Sequence, residues 1–121
     1  HLVAVVPTRG TLSSEDTASA IWLPATTNAL LDISQQATAE YLQRQAAYAA
    51  QAGINVTSTV QRGEPSAAIA QAAQEVRADV IVMATHGKSH TDAFWSGSVS
   101  PRVSNKSKRP LLLVPVAEGN E

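Results

Sequence analysis

Ala78-Asp79-Val80-Ile81-Val82-Met83-Ala84-Thr85-His86-Gly87-Lys88-Ser89-His90, followed after Thr91–Ser96 by Gly97-Ser98-Val99-Ser100, is the stretch on which the fold turns. It opens as a continuous apolar run, the pattern of a strand covered on both faces in a parallel sheet. It then breaks into small and polar residues and closes on a glycine directly before a helix-like segment. Strand, loop, glycine and helix follow in the order by which an open α/β sheet builds a ligand site at the carboxyl ends of its strands. Gly97 lets a backbone or ligand approach closely, and Ser98, Val99 and Ser100 present N–H groups at a helix start, which suits an anion such as phosphate.

Working outward, the other apolar runs are Leu2–Val6, Ile54–Val60 and Leu111–Val116, beside Asp79–Ala84 in the stretch above. Ile54–Val60 alternates, with Ile54, Val56, Ser58 and Val60 on one side, and reads as a strand near an edge. From about Leu30 to Ala52 the chain is dominated by Ala, Leu, Gln, Glu and Arg, which predicts a helix with Asn28 as its cap and Gly53 as its left-handed stop. Gly63-Glu64-Pro65 puts proline at the first position of a second helix, whose Ile69, Ala72, Ala73 and Val76 form a buried stripe. A third helix is expected from Ser98 to about Ser107, with Val99 and Val103 inward and Pro101 tolerated in the first turn. Thr8–Thr27 has no clear period and reads as a long surface loop, with Ile21-Trp22-Leu23-Pro24 apolar enough to pack. Strands alternating with helices define an α/β fold with right-handed crossovers.

The chain has 121 residues, 44% of them hydrophobic, and no cysteine, so it fits a single packed domain and excludes both a disordered tail and a disulfide scaffold. It has no run long enough to span a membrane, and the sequence-based expectation is a cytoplasmic protein. The net charge of −1 hides an asymmetry, because His86–Pro110 carries Lys88, Arg102, Lys106, Lys108 and Arg109 against the single acid Asp92. A local positive region suits a small phosphate-bearing ligand better than a nucleic-acid duplex, and neither a nucleic-acid nor a membrane partner is expected. The only methionine is Met83, so the sequence is expected to begin after processing, after a tag, or partway through a longer protein.

Several catalytic patterns fail on inspection. Gly87-Lys88-Ser89 resembles the end of a Walker A loop, but position 82 is Val where that motif needs glycine, and no helix signal follows Ser89. Ser96-Gly97-Ser98 lacks the frame of a nucleophile elbow. His86, His90 and Asp92 have no fourth partner and read as loop residues rather than metal ligands.

Taken together, the residues resemble a family. Ala84-Thr85-His86-Gly87, nine further residues and Gly97-Ser98 are similar to the universal stress protein motif Gly-x2-Gly-x9-Gly-[Ser/Thr]. Gly63-Glu64-Pro65 with its Ala-rich helix, Ala78–Met83, and Arg109-Pro110-Leu111-Leu112-Leu113-Val114-Pro115-Val116 recur there in the same order. The resemblance implies a Rossmann-like parallel sheet with helices on both faces. It also implies binding of ATP, or of AMP or ADP, with or without Mg²⁺, and a homodimer through the Leu111–Val116 edge strand, with strand exchange as a further route. Carried over by position, Met83 and Ala84 line the adenosine side, Gly87 borders the phosphates, and Gly97, Ser98, Val99 and Ser100 cradle them. Lys88 stands beside them, adding charge or remaining solvated. Binding rather than turnover is expected, with at most weak ATP hydrolysis, since no general base or nucleophile is identifiable. The alternative is an interaction module of the same fold that binds no nucleotide.

Two departures from the family pattern matter. Ala84 stands where the motif has its first glycine, a mild change if the local φ is negative. Leu2–Val6 matches the family's second strand, so the resemblance implies that a first strand with its acidic residue, and a first helix, are missing from the 121 residues. In the family that strand lies between Leu2–Val6 and Val80–Ala84, and its absence predicts a gap of two strand spacings, ~9–10 Å, in the middle of the sheet. About 30–40 residues are therefore expected ahead of His1, the length of one strand–helix unit.

Overall fold

The computed structural model describes residues 1–8, 24–85 and 99–115. In chain order the elements are β1 (Leu2–Val6), α1 (Pro24–Gln51), β2 (Ser58–Arg62), α2 (Pro65–Glu75), β3 (Ile81–Thr85), α3 (Val99–Lys106) and β4 (Leu111–Pro115). Every strand pairing among the described residues is parallel, as alternating strands and helices require. β1 lies against β2 with Leu2 opposite Ser58 and Val6 opposite Arg62. β3 lies against β4 with Ile81 opposite Leu111 and Thr85 opposite Pro115. The pairs form separate two-stranded sheets, and among the described residues no ladder joins β1 to β3.

The packed centre sits under β3. Ala73 of α2, Ile81 of β3 and Val103 of α3 are buried together, with Ile69, Ala78, Met83, Val99 and Leu111 packed around them. Val103 is fully buried, so the inward-facing position read from the sequence of α3 is where the core closes. α1 packs on β1 and β2, with Leu42 its buried residue.

Three local expectations are corrected. α1 already includes Pro24 through Ala29, so Asn28 lies inside the helix rather than at its cap, and the last residues of the expected Thr8–Thr27 loop are helical. Residues 9–23 of that loop lie outside the described residues. β2 starts at Ser58, not Ile54. The helix ending consumes Ile54, whose N–H donates to Ala49 O at 3.1 Å, and Leu2 N–H donates to Thr57 O at 2.8 Å, so pairing with β1 begins only there. The third correction concerns coverage: Val76, expected in the buried stripe of α2, is 43% exposed just past the helix end, and on β3 and β4 the face bearing Val82, Leu112 and Val114 is exposed, whereas continuous apolar runs predict cover on both faces.

Candidate functional site

The carboxyl end of β3, the start of α2 and the start of α3 meet at one place. Gly63, with φ +130, turns the chain out of β2 while its N–H donates to Val6 O at 3.1 Å. Glu64 then caps α2, and Pro65 opens it with a φ suited to a first turn. The resulting cavity, of about 400 Å³, is bounded by Val3 and Val5 of β1, Pro65 and Ile69 of α2, Ile81 through Ala84 of β3, and Val99 of α3. No described residue of its lining is titratable. The described part of the wall is apolar throughout.

Of the residues predicted for the site, Met83, Ala84 and Val99 come together in this lining. Ser100 follows in the first turn of α3 and is buried. Gly87, Lys88, Gly97 and Ser98 lie outside the described residues, as do His86, His90 and Asp92. Among the described residues no group of three or more His, Asp or Glu side chains is placed to hold a metal.

A polar hub that sequence reasoning missed stands beside the cavity. Both oxygens of Glu64 are engaged: Oε1 accepts from Ser66 N at 3.2 Å, and Oε2 accepts from Ala67 N at 2.9 Å and from Lys106 Nζ at 2.8 Å. Ser66 Oγ lies 2.6 Å from Oε2, and Arg102 Nη1 approaches Oε1 at 3.7 Å. The Lys106 ammonium, followed by the Ser66 hydroxyl, holds the Glu64 carboxyl well below the usual carboxylate range. The only sequence signal was Glu64 itself before Pro65, because its cationic partners lie on α3, some forty residues further on. Arg102 and Lys106 are thus turned at least partly toward Glu64, which narrows the positive region expected from His86–Pro110. Lys106 also borders a second groove, together with Lys108, Arg109, Ala70 and Gln74.

A parallel α/β domain with its cavity at the carboxyl ends of the strands, walled by a helix start, belongs to the Rossmann-like class of ligand-binding folds. The sequence model of the universal stress protein family matches residues 1–115, and the chain belongs to that family. Universal stress protein Sll1654 of Synechocystis is 41% identical over 83 residues, 68% of this chain and 52% of that protein. Universal stress protein MJ0577 of Methanocaldococcus jannaschii is 34% identical over 62 residues, 51% of this chain and 38% of that protein. The matched stretch therefore spans about half the length of these relatives or less. The solved structure of MJ0577 superposes with a TM-score of 0.73 at 22% identity, covering 98% of this chain and 76% of that one, and that of PH0823 with 0.65 at the same coverage. A universal stress protein solved in complex with cAMP superposes with a TM-score of 0.55 at 28% identity over 97% of this chain and 98% of its own. No helix among the described residues is long and apolar enough to cross a membrane.

Proposed function

We propose that this chain is an adenine-nucleotide-binding regulatory domain whose activity is binding rather than turnover. The observation that carries the reading is the convergence of Met83, Ala84 and Val99, from strand and helix, on one apolar cavity at the carboxyl end of β3. A purine fits an apolar slot of this kind, and a phosphate chain fits the N–H groups at the start of α3. The relative that carries cAMP supports the ligand class. In this reading Met83 and Ala84 flank the adenosine, while Gly87, Gly97, Ser98, Val99 and Ser100 surround the phosphates and Lys88 adds charge at their edge. Glu64, already held by Lys106 and Arg102, is committed to joining helices. Any Mg²⁺ would arrive on the nucleotide phosphates.

Thermal unfolding with ATP, ADP, AMP and cAMP, each with and without Mg²⁺, tests this. At a hundredfold excess over Kd a ligand adds about 2.7 kcal/mol, a shift of about 10 °C. Ala84→Phe should abolish the shift by filling the cavity, and Gly97→Val should do so by crowding the phosphates. Absence of a shift with every nucleotide at millimolar concentration removes the nucleotide reading and leaves the interaction module.

A further inference from the structure

Glu64 faces two cations and holds them unequally. Lys106 Nζ lies 2.8 Å from Oε2, whereas Arg102 Nη1 stands 3.7 Å from Oε1, beyond hydrogen-bond reach. The carboxylate has little left for Arg102, because Ser66 N, Ser66 Oγ and Ala67 N already donate to it. Among the described residues no second carboxylate pairs with either cation, so the hub carries one positive charge more than it neutralises. The Arg102 side chain is 52% exposed, and a long ion pair at that exposure adds little to stability. To the other described residues its guanidinium makes no hydrogen bond.

The surplus cation stands at the rim of the cavity. Glu64 immediately precedes Pro65, and Arg102 follows Val99 by three residues on α3; Pro65 and Val99 both line the cavity. Residues three apart share a helix face, and side chains lean toward the helix start, so Arg102 covers the turn that holds Val99. That turn is also the one whose N–H groups have no partner within the helix. A guanidinium matches phosphate oxygens two at a time, and Lys106 keeps Glu64 neutralised when Arg102 turns away.

We infer that Arg102 is the residue by which the site distinguishes nucleotides of different phosphate number: it leaves Glu64 for the second and third phosphates, and ATP is bound in preference to AMP. The inference rests on the nucleotide reading above and adds to it the side chain that sets phosphate number. The N–H groups at the start of α3 serve a first phosphate equally in AMP and ATP. Discrimination between the two then falls to a charged group beyond them, and Arg102 is the loosely held cation of the described rim.

Isothermal titration calorimetry with ATP, AMP, adenosine and inorganic tripolyphosphate, each in Mg²⁺-free buffer, on the wild-type chain and on Arg102→Gln, tests this. The wild type should bind ATP about tenfold tighter than AMP, or tighter still. Arg102→Gln should erase that preference while leaving the affinities for AMP and adenosine unchanged and Tm within about 2–3 °C of the wild type. A wild type that binds ATP and AMP alike, or a variant that keeps the wild-type preference, overturns the inference and leaves nucleotide binding in place. A chain that binds neither ATP, AMP nor adenosine ends the nucleotide reading, and tripolyphosphate then decides the role of Arg102 alone. Saturable binding of tripolyphosphate that Arg102→Gln weakens about tenfold supports it; no binding, or equal binding by both chains, overturns it.

Discussion

Gly53 and Arg77 occupy the same position in the same kind of helix ending. After α1, Gly53 N–H donates to Ala50 O and Ile54 N–H to Ala49 O; after α2, Arg77 N–H donates to Gln74 O and Ala78 N–H to Ala73 O. Both are Schellman endings, and both place the residue after the cap in the left-handed region, at φ 77 for Gly53 and φ 53 for Arg77. Glycine adopts that φ freely, whereas a residue with a Cβ is strained there by about 1–2 kcal/mol. The Arg77 side chain is exposed, so replacing it removes little packing. Arg77→Gly should therefore stabilise the domain by about 0.5–1 kcal/mol, once the greater freedom of glycine in the unfolded chain is subtracted. Urea denaturation measures this, and a lower midpoint for the variant would show that Arg77 makes a contact worth more than its strain. Gly53 was legible in the sequence because glycine announces the conformation; Arg77 was not, because the geometry there is imposed by the helix ending and not by the residue.

Among the elements, α2 and α3 are joined by Glu64, which caps the first and receives Lys106 and Arg102 from the second. Because the folded carboxyl is held below the ordinary range, the folded state releases its proton more readily than the unfolded chain, whose glutamate titrates near ~4.3. The stabilisation is fully present above that pH and is lost as the pH falls toward the lowered folded value. Glu64→Gln should lower Tm by about 3–6 °C at neutral pH, and the gap between the variants should narrow on acidification below about pH 4. Circular dichroism melts across pH 3–7 check this, and a gap independent of pH would assign Glu64 a capping role alone. The strands and helices themselves were largely legible, because β3 and β4 are continuous apolar runs and α2 carries proline at its start. The misplacement of β2 has a physical cause: Ile54-Asn55-Val56-Thr57 alternates like a strand, but Ile54 completes the ending of α1 and no partner strand reaches these residues before Leu2 meets Thr57. The start of α1 was hidden because Thr26, Thr27 and Asn28 are poor helix formers held by their context. At the site, strand–loop–helix order alone pointed to Val99 and the start of α3, and Met83 and Ala84 were named only by the family resemblance, whereas the Glu64 hub depended on long-range pairing that no local pattern encodes.

At the scale of the whole molecule, β4 is the outermost strand of its sheet, paired with β3 on one side and, among the described residues, with no strand on the other. Leu112 and Val114 are exposed along it, and Leu113 is 36% exposed. An apolar edge without charges invites pairing with another chain. A second copy is the simplest partner, because a two-fold axis beside β4 brings the same strand against itself and closes the assembly after one contact. We therefore propose a homodimer joined edge to edge through β4, which would continue the sheet of one protomer into its partner. Sedimentation equilibrium should report a dimer at micromolar concentration, and Val114→Lys should weaken it by about tenfold or more, equivalent to ~1.4 kcal/mol. Because Val114 is already 44% exposed, the variant should keep the Tm of the monomer. A wild-type chain that remains monomeric would remove the dimer, and a Val114→Lys chain that dimerises as tightly as the wild type would place the contact elsewhere.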